Sequence, residues 1–554
     1  MNVNGGQAIL ETLQAHRIDC VFGLLGGSML ELYDAIYHAT GMTYVGARDE
    51  RAAAHMADAW ARISGRPGIV LGAQSGPGVA NLVTGVAEAH LAYSPLVAIA
   101  GMTTREHQGR DTFQEFDQVA LFKSIAKASI VVPLAERLPE MLTDAIRLAS
   151  SGRKGPVVLH VPRDLFAESF DMPPVPAHRA ASGAAPAAAD ITRIVDLLGS
   201  ARAPVLFAGG GFKWAEGSSA LQQLAEALEI PVVASTGHAD LMPHDHPLYA
   251  GQAGPRGNRV ASGLTREADL ILALGNRLAF NSTFHSHDYV SPTANIVQVD
   301  VEARALGRYF PVSLGIQADA TATAIALLTA VAGVNGNWHE WRERFSADKA
   351  ALTAEREDEA KHEGEPMLPT RVLGEIRAAL PRDAIVTLDT GNACLQAADR
   401  LAHYQCPGLV APLDFGLVGF AYAAAIGARA AAPQRPVIAI MGDGGFGFTQ
   451  AEISTAVGHG LPVIAIVIDN GAWGAEKAYQ KEFFGGRLLG AEIASPDYAT
   501  LAELCGADGY RASKPGETAA ALEQALARGR PAVIQVKVDR EALSALRKDL
   551  FKPK

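Results

Sequence analysis

Cysteine is scarce: four in 554 residues (Cys20, Cys394, Cys406 and Cys505), far apart and forming no CxxC pair. That excludes a disulfide framework and a zinc ribbon, and it predicts a reducing compartment. Positive charge is also short. Lys and Arg number 48 against 59 Asp and Glu, a net charge of −11, and no basic run is present to follow a phosphate backbone. A nucleic-acid partner is therefore not expected. Long hydrophobic runs are missing too, since stretches such as 462–468 are strand-length and too short to span a bilayer. The start, MNVNGGQAILETLQAH, lacks the basic opening and apolar core of a secretion signal. A cytoplasmic protein with no membrane partner is predicted. What is abundant is apolar residue, 49% of the chain against 19% charged, which suits large buried cores.

Near-continuous Val/Ile/Leu runs at 68–72, 96–101, 204–208, 270–274, 385–388, 437–440 and 463–468 alternate with Ala-rich, helix-prone stretches. Strands with no polar alternation are buried on both faces, so they belong to parallel sheets covered by helices. The predicted fold class is α/β, with three doubly wound parallel-sheet domains. Two stretches interrupt the alternation. Residues 173–190 are Pro/Ala-rich and read as a linker, and 337–366 are charged, helix-prone and end in Gly/Pro signals. They divide the chain into 1–172, 188–335 and 366–554, each long enough for one sheet.

The strongest chemical signal lies in the last segment. A strand at 436–441 runs into Gly442-Asp443-Gly444-Gly445-Phe446, with a helix expected from about Thr449. A second strand at 462–468 ends at Asp469-Asn470-Gly471. Glycines at such a turn let backbone approach a phosphate, and the following helix start offers free N–H groups. A carboxylate and an amide oxygen are the hard ligands Mg²⁺ takes, with a bound diphosphate completing the octahedron. Both lie at C-terminal strand ends, where open α/β sheets bind ligands. A lone GDG is most often only a glycine turn. Here residues 445–469 separate it from Asn470, with strand–helix–strand context on both sides.

This spacing resembles the signature of thiamine diphosphate enzymes, in particular the acetolactate synthase/pyruvate oxidase superfamily. The resemblance implies thiamine diphosphate and Mg²⁺ as cofactors. Asp443, Asn470 and the Ala472 carbonyl would be the metal ligands. Gly442, Gly444, Gly445 and Trp473 would line the cofactor, with Gly391 and Asn392 of LDTGN at the diphosphate. In the first segment, Arg48-Asp49-Glu50-Arg51 and the following Ala-rich run resemble the segment whose glutamate touches the pyrimidine N1′. Glu50 would be that catalytic group; without the resemblance it reads as a first-turn acid complementing a helix dipole. Ser75-Gly76-Pro77-Gly78, followed by Asn81, is similar to the pyrimidine-side turn. Asp414 to Phe420 resembles the segment that bends the cofactor, with Val418 as the apolar wedge and the Gly416 carbonyl as an acceptor. In this family the pyrimidine and diphosphate sides come from two chains, so a homodimer or homotetramer is implied.

Gly209-Gly210-Gly211, after the run at 204–208, is a weak nucleotide signal. The family's synthases hold FAD in the equivalent domain, whereas acyl-CoA relatives hold ADP or CoA. Residues 275–284 read GNRLAFNSTF where a flavin-binding synthase carries an Arg-Phe-Asp-Asp-Arg run, so FAD is not expected and the domain reads as structural.

Trp473-Gly474-Ala475-Glu476-Lys477, Gln74 before SGPG, Phe113-Gln114-Glu115 and the tail at 547–554 resemble the sulfoacetaldehyde acetyltransferases, whereas 23–32 and 483–493 differ from them. The implied activity is a transferase or lyase acting on a small anionic carbonyl substrate. Sulfoacetaldehyde and phosphate would give acetyl phosphate and sulfite. Acetolactate synthase-like decarboxylation and carboligation, or 2-hydroxyacyl-CoA cleavage, are the alternatives. A retired binding homologue is the non-enzymatic alternative, opposed by the joint presence of Glu50, Asp443 and Asn470. Gln114 and Lys477 are the further catalytic candidates. Lys477, Arg110, Arg256 and Arg487 are the candidate anion contacts, although a lone cation is more often a solvated surface charge.

Overall fold

The computed structural model describes residues 2–172, 174–175, 183–214, 217–332, 336–412 and 414–543. Pro173 and 176–182 of the expected linker, and the tail at 547–554, lie outside the described residues. The helix Ala188–Ser200 already begins inside the stretch read as linker.

Three six-stranded sheets carry the chain, and every pairing within them is parallel. The first runs Thr43–Gly46, Cys20–Leu24, Gly68–Gly72, Leu96–Met102, Val157–Pro162, Ala128–Val131. The second runs Tyr249–Gln252, Val232–Ala234, Pro204–Ala208, Leu270–Leu274, Asn295–Asp300, Leu314–Gln317. The third runs Leu409–Val410, Ile385–Leu388, Val437–Gly442, Val463–Asp469, Ala532–Lys537, Asp508–Ala512. In each, helices close both faces, which is why the central strands read as unbroken apolar runs: Ile69, Val70, Leu71, Ile271, Leu272, Ile438 and Ile440 are all fully buried.

Register in the third sheet positions the chemistry. Leu388 pairs with Ile440, Ile440 with Ile466, and Gly442 with Ile468. The three loops that follow, starting at Asp389, Asp443 and Asn470, therefore leave the same edge side by side. The helix expected from about Thr449 starts earlier. Gly442 is extended and Asp443–Phe446 turns at once into a short helix, followed by Gln450–Glu452 and Ile453–Gly458.

The first and third domains are joined through helix Glu50–Ser64, which lies against Ala421–Ala431. Small side chains make this approach possible. A Cβ on Gly427 would stand 1.9 Å from the Met56 carbonyl oxygen, so only glycine fits there. A buried ion cluster reinforces the joint: Arg62 pairs with Asp58 and Glu88 and donates to the Ala411 carbonyl of the third domain at 2.7 Å. Among the described residues no helix is long and apolar enough to cross a membrane.

Candidate active site

A cleft opens at the C-terminal edge of the third sheet, where the topology puts three loops together. Gly391, Asn392, Val418, Gly442, Gly444 and Gly445 line it, joined from the next strand by Asn470, Ala472 and Trp473. Asp443 stands at its base, 1% exposed. One carboxylate oxygen accepts from Ser495 Oγ at 2.5 Å, and the other, Oδ1, is buried with no hydrogen-bond partner among the described residues. Burial, with the charge of nearby Asp469 adding to it, pushes the Asp443 carboxyl above the usual carboxylate range despite the Ser495 hydrogen bond. Such a group is costly unless a cation meets it. Asn470 turns its side-chain oxygen to the Ala472 N–H at 3.2 Å, and Tyr498 donates to the Asp443 carbonyl at 2.8 Å.

The glycines of the cleft have distinct reasons. Gly391 has φ +128° with nothing within 4 Å of an added Cβ, an open turn in a conformation side chains avoid. A Cβ on Gly444 would stand 2.7 Å from the Trp473 ring, so glycine lets the indole close down on the turn. Gly416 has φ +63°, and an added Cβ there would meet Thr390 Oγ1 at 3.8 Å.

The first-domain residues gather elsewhere. Glu50 is the first residue of its helix, after Asp49, whose side chain caps the Arg51 N–H. Its carboxylate is 5% exposed; Oε2 accepts from Asn81 Nδ2 at 3.0 Å, and a Cβ on Gly78 would lie 2.8 Å from Oε1. Ser75 donates its N–H to Ser28 Oγ at 3.0 Å, a turn-holding bond. Gln74 accepts from the Gly27 N–H at 2.9 Å and donates to Gln114 Oε1 at 2.6 Å. Gln114 adopts φ +66°, unusual for a residue with a Cβ and a mark of local constraint. Glu50, Ser75 and Gln114 thus form one patch, and none of them lines the third-domain cleft of the same chain.

The candidate cations separate. Lys477 is 2% exposed and its ammonium meets Glu541 at 2.9 Å and Glu492 at 3.3 Å. It clamps the loop and the chain end behind the cleft. Arg110 and Arg487 are exposed. Arg256 lines a second cleft with Thr370 and Arg400, which shares Pro369 and Ala542 with the first.

A cavity of about 210 Å³ lies where the three domains meet, beside Tyr93, Arg153, Lys154, Trp214, His238 and Arg277. Gly211 lines it, and Gly209 and Gly211 are both closely packed. Their missing Cβ atoms let the chain touch Gly275, at 2.3 Å from its carbonyl oxygen and 2.7 Å from its Cα. Arg277 and Asn281 of the GNRLAFNSTF stretch instead reach across to Asp414, holding the segment that carries Val418.

Comparison with known proteins decides the family. The chain matches the N-terminal TPP binding domain of thiamine pyrophosphate enzymes over residues 3–121, their central domain over 191–327, and their C-terminal TPP binding domain over 389–536. The chain belongs to the thiamine pyrophosphate enzymes. Among relatives of this enzyme, the sulfoacetaldehyde acetyltransferase of Alcaligenes xylosoxydans xylosoxydans is 33% identical over 99% of this chain and 95% of its own. That of Castellaniella defragrans is 34% identical over the same shares, 99% and 95%. A probable acetolactate synthase large subunit of Methanocaldococcus jannaschii is 32% identical, over 97% and 92%.

The cleft of this thiamine pyrophosphate enzyme fits the cofactor that gives the family its name. The unmatched buried oxygen of Asp443, the open Gly391 turn and the set of carboxylate, amide and carbonyl oxygens at 443, 470 and 472 suit a metal-bound diphosphate. Four supports in this site were not anticipated from sequence: Ser495 and Tyr498 on Asp443, Gln535, which accepts from the Tyr498 N–H and donates to Asp469, and Asp389, which accepts from the Gly419 N–H. Each acts on a residue 25 or more positions away or through an ordinary polar side chain, which no local motif flags.

Proposed function

We propose that this thiamine diphosphate enzyme cleaves the C–S bond of sulfoacetaldehyde and passes the two-carbon unit to phosphate, giving acetyl phosphate and sulfite. The supporting observation is the likeness to sulfoacetaldehyde acetyltransferases along 99% of the chain, joined to the Trp473–Gly444 contact and the buried Lys477 clamp directly after the metal loop. Residues 1–172 act as the pyrimidine-binding domain, 188–335 as the central domain and 366–554 as the diphosphate-binding domain. Asp443, Asn470 and the Ala472 carbonyl hold Mg²⁺; Gly391, Asn392, Gly442, Gly444 and Gly445 receive the diphosphate; Val418 supports the rings beside the Gly416 carbonyl. The cofactor supplies a carbon nucleophile that adds to the substrate carbonyl.

Glu50 shares a proton with the pyrimidine N1′, and Asn81 fixes which carboxylate oxygen faces it. Ser75 holds its turn, and Gln114, steadied by Gln74, offers its amide to the anionic substrate. Because Glu50 does not line the cleft of its own chain, we take the working unit to be a homodimer or larger, with Glu50 of one copy facing the cleft of the next. FAD is not required, and the chain acts in the cytoplasm.

The test is one coupled assay. Sulfoacetaldehyde and phosphate should yield sulfite and acetyl phosphate in equal amounts, with activity lost when the oligomer is diluted to monomer. Acetolactate from pyruvate, with no sulfite from sulfoacetaldehyde, would replace this reading with the synthase one, which the methanogen relative favours.

A further inference from the structure

Asp389 takes no part in the ligand set just described, yet two loops of the cleft donate to its carboxylate and a third packs beside it. It is the first residue after strand Ile385–Leu388, and its N–H donates to the Ile440 carbonyl at 3.1 Å. Its side chain is 5% exposed. Oδ1 accepts from the Thr390 N–H at 2.7 Å, one residue before the Gly391 turn. Both oxygens lie 3.0 Å from the Gly419 N–H, one residue after Val418. A Cβ on Gly445 would lie 3.0 Å from Oδ2 and 3.4 Å from Val418 Cγ1, so the carboxylate and the wedge both close on the glycine turn. Gly419 has φ +85°, and the helix Ala421–Ala431 starts directly beyond it. Burial pushes the Asp389 carboxyl up to about 7, and the groups that counter burial are backbone N–H groups of Thr390, Gly419, Ala421 and Phe420. A buried acid facing several amide donors has a directional task, because each donor it holds is a piece of chain held in place.

We propose that Asp389 is the positioning residue for the wedge: by binding the Gly419 and Thr390 amides it sets Val418 against Gly445 and so fixes the seat of the cofactor's rings. This rests on the reading of Val418 as the wedge. The Mg²⁺ ligands Asp443 and Asn470 follow other strands, so the metal anchor of the diphosphate stands apart from the Gly419 contact, while the Thr390 contact lies next to Gly391.

Asp389→Asn tests it. The amide keeps the size but presents an NH₂ to a site already supplied with N–H donors. Three quantities are compared in wild type, D389N and V418A: affinity for Mg²⁺–pyrophosphate, which has no rings; affinity for thiamine diphosphate; and C2–H/D exchange of bound cofactor, read by NMR after acid quench. For D389N, pyrophosphate affinity should stay within about threefold of wild type while exchange slows by roughly 10–100-fold, as expected of a small misplacement at a reacting centre. V418A should share that pattern. Exchange at the wild-type rate in D389N with slowed exchange in V418A would overturn the role of Asp389 and leave the wedge standing. Wild-type exchange in both would overturn both. A parallel loss of pyrophosphate and cofactor affinity, or failure of both D389N and D389S to fold, would assign Asp389 to general stability and overturn the proposal.

Discussion

Asn81 Nδ2 donates to Glu50 Oε2 across 3.0 Å, so one oxygen of the carboxylate is spoken for by a neighbour on the next helix while Oε1 stands against Gly78. The bond orients the acid before any cofactor arrives. Glu50→Gln keeps this contact geometry and removes the exchangeable proton. C2–H/D exchange of bound cofactor should slow by about two to four orders of magnitude, the range for acid–base groups, while Mg²⁺–pyrophosphate affinity stays near wild type. Equal exchange rates in the two proteins would take Glu50 out of the chemistry.

Asp443→Ala should abolish Mg²⁺-dependent binding of thiamine diphosphate, followed by titration calorimetry. Without ligands its melting temperature should not fall below wild type, because the substitution removes a buried carboxylate near Asp469 with one oxygen unmatched. Undiminished cofactor affinity would overturn the metal assignment.

The protein should lose stability on the acid side of neutrality. Burial holds His55, His238 and His403 down to about 3, and His160 and His244 down to about 4, from an ordinary 6.5. With folded-state values lowered, the unfolded chain binds more protons between about 6.5 and those values. Stability is then full above 6.5 and declines as pH falls through that window. His55 is the sharpest probe, since both its ring nitrogens are buried with no hydrogen-bond partner among the described residues, and the ring packs against Phe420. His55→Leu should reduce the slope of unfolding free energy against pH by about one proton between pH ~4 and ~6. An unchanged slope in denaturant titrations would contradict this.

Arg62→Met should destabilise the folded chain by about 3–5 kcal/mol in urea unfolding, because it strips Asp58 and Glu88 of their shared cation. Both acids have fully buried side chains. Burial works against the Arg62 charge, and the two carboxylates more than offset it, raising its pKa. The triple replacement with Asp58→Asn and Glu88→Gln should recover most of the loss. A cost below about 1 kcal/mol for the single change would show that the cluster behaves like a surface pair.

Fold class was legible because a strand buried on both faces has to be written as an apolar run, as Val437–Gly442 and Val463–Asp469 are. That Asp443 and Asn470 leave neighbouring strands was legible for a related reason: two adjacent parallel strands of similar length end at one edge, so a strand–helix–strand spacing fixes their neighbourhood. Those constraints act within about thirty residues of chain.

Beyond that range, packing decided. Lys477 carried the mark of a substrate contact in its sequence position, yet Glu541, 64 residues on, and Glu492 take up its charge. Gly209-Gly210-Gly211 read as only a weak nucleotide signal, and the structure shows Gly209 and Gly211 letting the chain close on Gly275. Glu50 is held by Asn81 in the first domain, and it does not line the third-domain cleft of its own chain. Asp389 gave no signal at all, because its partners are backbone N–H groups, which every residue but proline possesses and no composition reveals. A sequence specifies which groups must be buried and where strands end; which charge neutralises which, and which amide a buried acid holds, depends on distances that exist only after the domains have packed.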